Sequence, residues 1–328
     1  MADRHFFQPD TIKTISACCW HPPVFKEVAH MPLFKRRNFA PYAALFSIFC
    51  TFAVTKPSHS QDAGLHNSSK VFSAPADLTW KDWDDPDELE RTWKAAIVLM
   101  PAGPGQSTRA TTEDLERQTV ETTRKLPTVI YLHGCSGIWS GTHERIRFLA
   151  ENGFLVIAPA SLAREVYPRS CNVETREGGL FWGTVVLRKN DAGYAIEKAR
   201  QLSSVDADNI VLMGFSEGAL TTVLFEAQNE RQLVKARVAE GWTCHAGWLE
   251  YKGVRAREDE PVLTLVGEND PWYQDQWTKG ECTPFLDPEN GSRSIVYRDE
   301  KLKHRHGLLD VAPVRQDVLN FLKKHVDF

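Results

Sequence analysis

The chain lacks the ~20 consecutive apolar residues that cross a bilayer comfortably; its longest apolar stretch, 39–54, is 16 residues. That excludes a polytopic helical membrane protein. Neither a CxxC nor an HxxxH pair occurs, so no metal site of the usual zinc spacing is expected. No glycine loop of the phosphate- or dinucleotide-cradling kind is found, and no cofactor is implied. Internal repeats and low-complexity tracts are missing too. Positive charge is scarce where a nucleic-acid binder needs it: residues 61–328 hold 32 Lys/Arg against 40 Asp/Glu, and counterion release requires a basic face. What remains, with 42% hydrophobic and 25% charged residues over 328 positions, is the composition of a folded globular protein.

The front of the chain reads differently. Residues 1–60 carry seven Lys/Arg against three Asp/Glu. Lys35, Arg36 and Arg37 precede the apolar stretch, and the small residues Ser58 and Ser60 follow it, which is the order of regions in a secretory signal peptide. We expect 1–60 to be a leader with the signal peptide at 31–60, translation starting at Met31 and cleavage after Ser60. Retention of 39–54 as a signal anchor is the alternative. Both export the remainder to the periplasm or the exterior, with no stable membrane insertion expected after signal cleavage.

Outside the leader four of the seven cysteines remain: Cys135, Cys171, Cys244 and Cys282. An even number in an exported protein suggests disulfides. Of three possible connectivities we expect Cys135–Cys171 and Cys244–Cys282; four buried free thiols are the alternative.

Residues 61–92 read as an irregular lead-in, and 93–328 as one catalytic-sized domain. In the latter, apolar strand-like runs at 95–100, 128–132, 154–158, 210–213, 234–240, 262–266 and 294–297 alternate with amphipathic segments at 143–152, 191–202, 220–228 and 314–326. Continuous apolar strands separated by helices imply an α/β fold, a mostly parallel doubly wound sheet with helices on both faces. The charged segment 111–125 reads as a surface insertion. Ligands of such sheets sit beyond the carboxyl ends of the strands, so the residues there are the ones to inspect.

After Ile210-Val-Leu-Met213 comes Gly214-Phe-Ser216-Glu-Gly218 and then a helical pattern. This is G-x-S-x-G between strand and helix, a turn that presents a serine hydroxyl; the blander reading is an ordinary helix N-cap at Ser216. A serine nucleophile needs a base and a group to orient it. Asp270 follows the apolar run 261–266 in Gly267-Glu-Asn-Asp270-Pro-Trp272, with Glu268 and Asp275 competing, and His306 and His304 follow the last strand. We favour Asp270 for its place beyond a strand end and His306 for the glycine that follows it. The oxyanion also needs backbone donors: the N–H of Glu217, next to the serine, and that of Cys135 in the loop His133-Gly-Cys-Ser-Gly137. A Cys135–Cys171 bridge would pin that loop.

These pieces, with Ala158-Pro-Ala-Ser-Leu-Ala-Arg164 and Asp191, make residues 93–328 resemble the dienelactone hydrolase branch of the α/β-hydrolase superfamily. The resemblance implies the α/β-hydrolase fold and ester hydrolysis. Founding members of that family use a cysteine nucleophile and a glutamate in the oxyanion loop, where this chain has Ser216 and Gly134, so dienelactone itself need not be the substrate. Arg164 stands where the family carries an arginine that can hold a substrate carboxylate; the alternative is a solvated loop cation.

Trp139, Trp182, Trp242 and Trp272 follow strands or occupy loops and suggest an aromatic-lined pocket, although aromatics are by default core. The sequence thus points to an exported serine hydrolase of small carboxylic esters. A peptidase or amidase on the same residues, and an inactive domain that only binds, are the other readings.

Overall fold

The structure, a computed structural model, describes residues 78–119, 124–245 and 249–328. The leader, its signal peptide and most of the lead-in segment lie outside the described residues.

The elements run α1 (Pro86–Lys94), β1 (Ile97–Gly103), β2 (Gln106–Ala110), α2 (Thr112–Glu116), β3 (Leu126–Leu132), α3 (Ser140–Glu151), β4 (Leu155–Ala158), β5 (Cys171–Asn172), β6 (Glu177–Gly178), α4 (Gly183–Arg200), β7 (Val205–Phe215), α5 (Glu217–Leu224), β8 (Ala236–Glu240), β9 (Val262–Gly267), β10 (Arg293–Tyr297) and α6 (Ala312–His325). Eight strands form one sheet in the order β10-β9-β8-β7-β3-β4-β1-β2. From β10 to β4 the pairs are parallel, and β4, β1 and β2 pair antiparallel. β5 and β6 make a separate two-stranded ribbon.

Why the central strands are apolar throughout is visible in their packing. Side chains alternate across the pleat. Val129, Tyr131, Val211 and Met213 enter one core with Ile146 and Leu149 of α3 and Phe321 and Leu322 of α6. Ile130, Leu132, Ile210 and Leu212 enter the other with Trp93 of α1 and Ala192 and Ile196 of α4. Both faces are covered, which is the mostly parallel, doubly wound α/β-hydrolase arrangement that the sequence implies.

Four local readings change. The lead-in is not wholly irregular: Pro86 opens α1, and Asp85 caps it by accepting from the N–H groups of Asp87 and Glu88, a proline and an aspartate at the positions each favours. The segment 111–125 is not a plain insertion, since α2 buries Thr112 and Leu115 and Glu116 accepts from the Trp93 indole at 2.9 Å. α4 begins at Gly183, eight residues before the expected start, because a Thr-Val-Val stretch with β propensity opens it. β2 escapes the sequence reading because Gln-Ser-Thr-Arg-Ala on a sheet edge carries no apolar face.

Candidate active site

β7 ends at Phe215 and α5 starts at Glu217, so Ser216 occupies the corner, with φ 57° and ψ −119°. A side chain in that region of backbone space is strained. Its neighbours must be glycine for steric reasons: a Cβ on Gly214 would stand 2.2 Å from the Gly218 carbonyl oxygen, and one on Gly218 would stand 2.1 Å from that of Leu132 in β3. The Ser216 N–H donates to the Glu240 carbonyl at 2.8 Å, which ties the corner to β8.

His306 lies between β10 and α6, with Nε2 2.8 Å from Ser216 Oγ and Nδ1 2.8 Å from Asp270 Oδ2. Asp270, just past β9, is buried; its other oxygen accepts from the Trp272 N–H at 3.0 Å. The imidazole is packed by Phe215 and Trp272, with ring centroids at 5.0 and 5.3 Å. The competing residues stay apart: Glu268 pairs with Arg298, and Asp275 and His304 are exposed. Three groups far apart in sequence thus form one hydrogen-bonded chain. Such a chain can move the serine proton to the imidazole while the carboxylate holds the ring and stabilises its charged form.

Ser216, Glu217 and Cys135 line one cavity of about 240 Å³ with Phe181, Leu220, Trp242, Tyr251, Trp272 and Tyr273. Both disulfides are present as expected, Cys135–Cys171 and Cys244–Cys282. The first joins the loop after β3 to the start of the β5–β6 ribbon, and both of its cysteines line the cavity. Glu217 is held from behind by Arg188, whose Nη1 donates to Oε1 at 2.9 Å, and by the Tyr167 hydroxyl at 3.4 Å. Arg188 also donates to the His133 carbonyl. Burial, with Arg188 nearby, pushes the His133 imidazole down to about 3, so it stays neutral and does not compete as a base.

The remaining candidates are placed differently. Arg164 is neither a solvated cation nor at the cavity: it is buried, its Nε and Nη2 donate to Asp191 Oδ1 at 3.0 and 2.7 Å, and Nη1 donates to the Asp82 carbonyl at 2.7 Å. It fastens the lead-in to α4. Trp139 stands at the N-cap position of α3 and its ring approaches Arg145. Trp182 packs edge-on against Trp83 at 5.8 Å, while its neighbour Phe181 reaches the cavity. Of the four tryptophans read as lining a pocket, Trp242 and Trp272 line the cavity. Arg145, Arg188, Tyr167 and Glu240 were not singled out in the sequence, where isolated charged or phenolic residues carry no spacing signal.

The bridge at the cavity wall gives a first expected result. The Cys171→Ala protein should lose about 2–4 kcal/mol of stability, the usual range for closing a loop of this size, and should show a lower kcat, because the loop bearing Cys135 is released. Chemical denaturation and steady-state kinetics check both, and unchanged kcat would remove the loop's pinning from any account of the site.

The chain matches the model of the dienelactone hydrolase family over residues 117–280, half of its length, from ahead of β3 to beyond Asp270. A search of the curated proteins finds no match. Among solved structures it is similar to one from Klebsiella pneumoniae assigned to the dienelactone hydrolases (19% identity, 69% of this chain and 98% of that one, TM-score 0.45). It is also similar to a dienelactone hydrolase-like promiscuous phosphotriesterase from metagenomic libraries (16% identity, 63% and 90%, TM-score 0.45), and to a hyperthermophilic esterase from Pyrobaculum calidifontis (17% identity, 73% and 88%, TM-score 0.41).

Proposed function

Because the chain belongs to the dienelactone hydrolase family and is thereby a hydrolase, we propose that it is an exported serine carboxylesterase acting on small, uncharged esters. The observation that carries this reading is the Ser216–His306–Asp270 chain, with its two 2.8 Å contacts, at the wall of an aromatic-lined cavity. In the acylation step His306 Nε2 takes the proton of Ser216 Oγ as that oxygen bonds to the ester carbonyl carbon. The negative charge on the carbonyl oxygen falls to the N–H groups of Cys135 and Glu217. Collapse breaks the ester C–O bond, and His306 returns the proton to the departing alcohol. Water, deprotonated by the same imidazole, then releases the acid and restores Ser216. Asp270 keeps Nδ1 as the donor and stabilises the imidazolium. Two disulfides agree with an oxidising compartment.

The charge of the substrate follows from what the cavity presents. Arg164 and Arg188 are buried and committed to Asp191 and Glu217, so neither offers a free guanidinium, and among the described residues no Lys or Arg lines the cavity. An acyl group ending in a carboxylate would be desolvated without a partner. The test is hydrolysis of p-nitrophenyl acetate, butyrate, octanoate and hemisuccinate, and of a matched p-nitroanilide, by protein beginning at Gln61. Ester turnover with butyrate favoured over hemisuccinate by at least about tenfold is expected. Faster anilide cleavage would favour a peptidase or amidase, and a folded protein that turns over none of them would favour a binding domain.

A further inference from the structure

We infer that Glu240 is a positioning residue that sets His306 against Ser216. It is the last residue of β8, beside the nucleophile strand, and it holds the two reacting partners by different atoms. Its carbonyl oxygen accepts the Ser216 N–H at 2.8 Å. Its carboxylate, fully buried, accepts the backbone N–H groups of Leu308 and Leu309 at 2.6 and 2.8 Å, both on Oε1. These are the second and third residues after His306, so the imidazole's loop is tied to the residue that ties the serine corner.

The carboxylate is itself fixed. Arg145 reaches across from α3 with a two-pronged grip, Nε on Oε2 at 2.8 Å and Nη2 on Oε1 at 2.7 Å. The same guanidinium lies 4.4 Å from the Phe215 ring centroid, and that ring packs on His306. Burial alone would raise the carboxyl's pKa, yet Arg145 and the two loop N–H groups bring it below its ordinary value, which keeps it an acceptor of all four bonds. The space is equally restricted: a Cβ on the following Gly241 would stand 3.0 Å from the His306 carbonyl and 3.2 Å from Cε1 of its ring. A glutamine at 240 keeps one accepting oxygen but sets an NH2 against an Arg145 donor, and an apolar side chain leaves the Leu308 and Leu309 N–H groups with no acceptor at all; in either case the imidazole is free to shift. A misplacement of about 1 Å at reacting groups can cost roughly 100-fold in rate.

This inference rests on the reading of Ser216, His306 and Asp270 as the reacting groups, and the experiment separates the two. Glu240→Gln and the paired Glu240→Met, Arg145→Met protein are compared with wild type and with His306→Ala on p-nitrophenyl butyrate. Replacing both partners avoids leaving Arg145 as an unpaired buried charge, so the paired variant isolates the loss of the loop's acceptor from the cost of an uncompensated guanidinium. The expected result is kcat lowered about 10- to 100-fold in both Glu240 variants with KM within about threefold of wild type, the paired variant folding with lower thermal stability because the buried Leu308 and Leu309 N–H groups have lost their acceptor. A paired variant with wild-type kcat overturns the inference, as does Glu240→Gln with kcat and KM unchanged; if the paired protein does not fold, Glu240→Gln decides alone. If His306→Ala keeps wild-type turnover, the underlying reading of the site has failed first.

Discussion

Ser216→Ala is expected to lower kcat by about 10⁴- to 10⁶-fold, with residual turnover owed to the oxyanion donors and binding alone. The reason is local: the Ser216 hydroxyl is the group His306 Nε2 touches, and removing it leaves the imidazole nothing to deprotonate but water. A covalent fluorophosphonate probe should label wild type and leave Ser216→Ala unmodified. Backbone geometry adds a second expectation. At φ 57° alanine keeps the strain of serine, whereas glycine relieves it. Ser216→Gly should therefore be as inactive as Ser216→Ala yet more stable by about 1–2 kcal/mol. Parallel kinetics and thermal melts read both. Turnover of Ser216→Ala within tenfold of wild type would sink the covalent mechanism.

Gly218→Ala is expected to be the most damaging small substitution in the domain, destabilising by more than about 4 kcal/mol or preventing soluble folding. Its added Cβ would sit 2.1 Å from the Leu132 carbonyl oxygen and 2.6 Å from that of His133. Neither is the end of a flexible side chain: Leu132 is in the strand that pairs with β7 along its length, and its core residues are fully buried. To relieve the overlap, α5 would have to move away from β3 and take Ser216 with it. Gly178→Ala, where nothing lies within 4 Å of the new atom, is the matched comparison and should change stability by no more than about 0.5 kcal/mol. Urea unfolding of the two decides, and a Gly218→Ala protein within 1 kcal/mol of wild type would refute the steric account.

Much of this was legible in the sequence because it is written in local pattern. Apolar runs too continuous for a one-sided sheet forecast β3, β7 and β9 and their coverage on both faces. The glycines around Ser216 announced the corner, since that backbone geometry admits little else, and the carboxyl ends of later strands narrowed the search to Asp270 and His306. What escaped was carried by tertiary approach. Arg145 meets Glu240 from 95 positions away, Arg188 meets Glu217 from 29 and Arg164 meets Asp191 from 27; a lone charged residue on a helix or strand gives no sign of its partner. Trp139 and Trp182 show the converse error. Their loops were rightly judged to lie near strand ends, but the direction of a side chain depends on a backbone turn that the sequence does not reveal.

The distances along the chain also bear on how activity is acquired as the protein folds. Ser216 and His306 are 90 positions apart and His306 and Asp270 are 36 apart, each beyond a different strand, and the parallel pairs β8–β9 and β9–β10 must close before the three meet. Such non-local parallel pairing is slow because chain entropy is lost before the contacts form. In a refolding time course the recovery of turnover should therefore trail the recovery of helical signal. A ribosome-bound chain released no further than β9 would carry a finished serine corner with nothing to activate it.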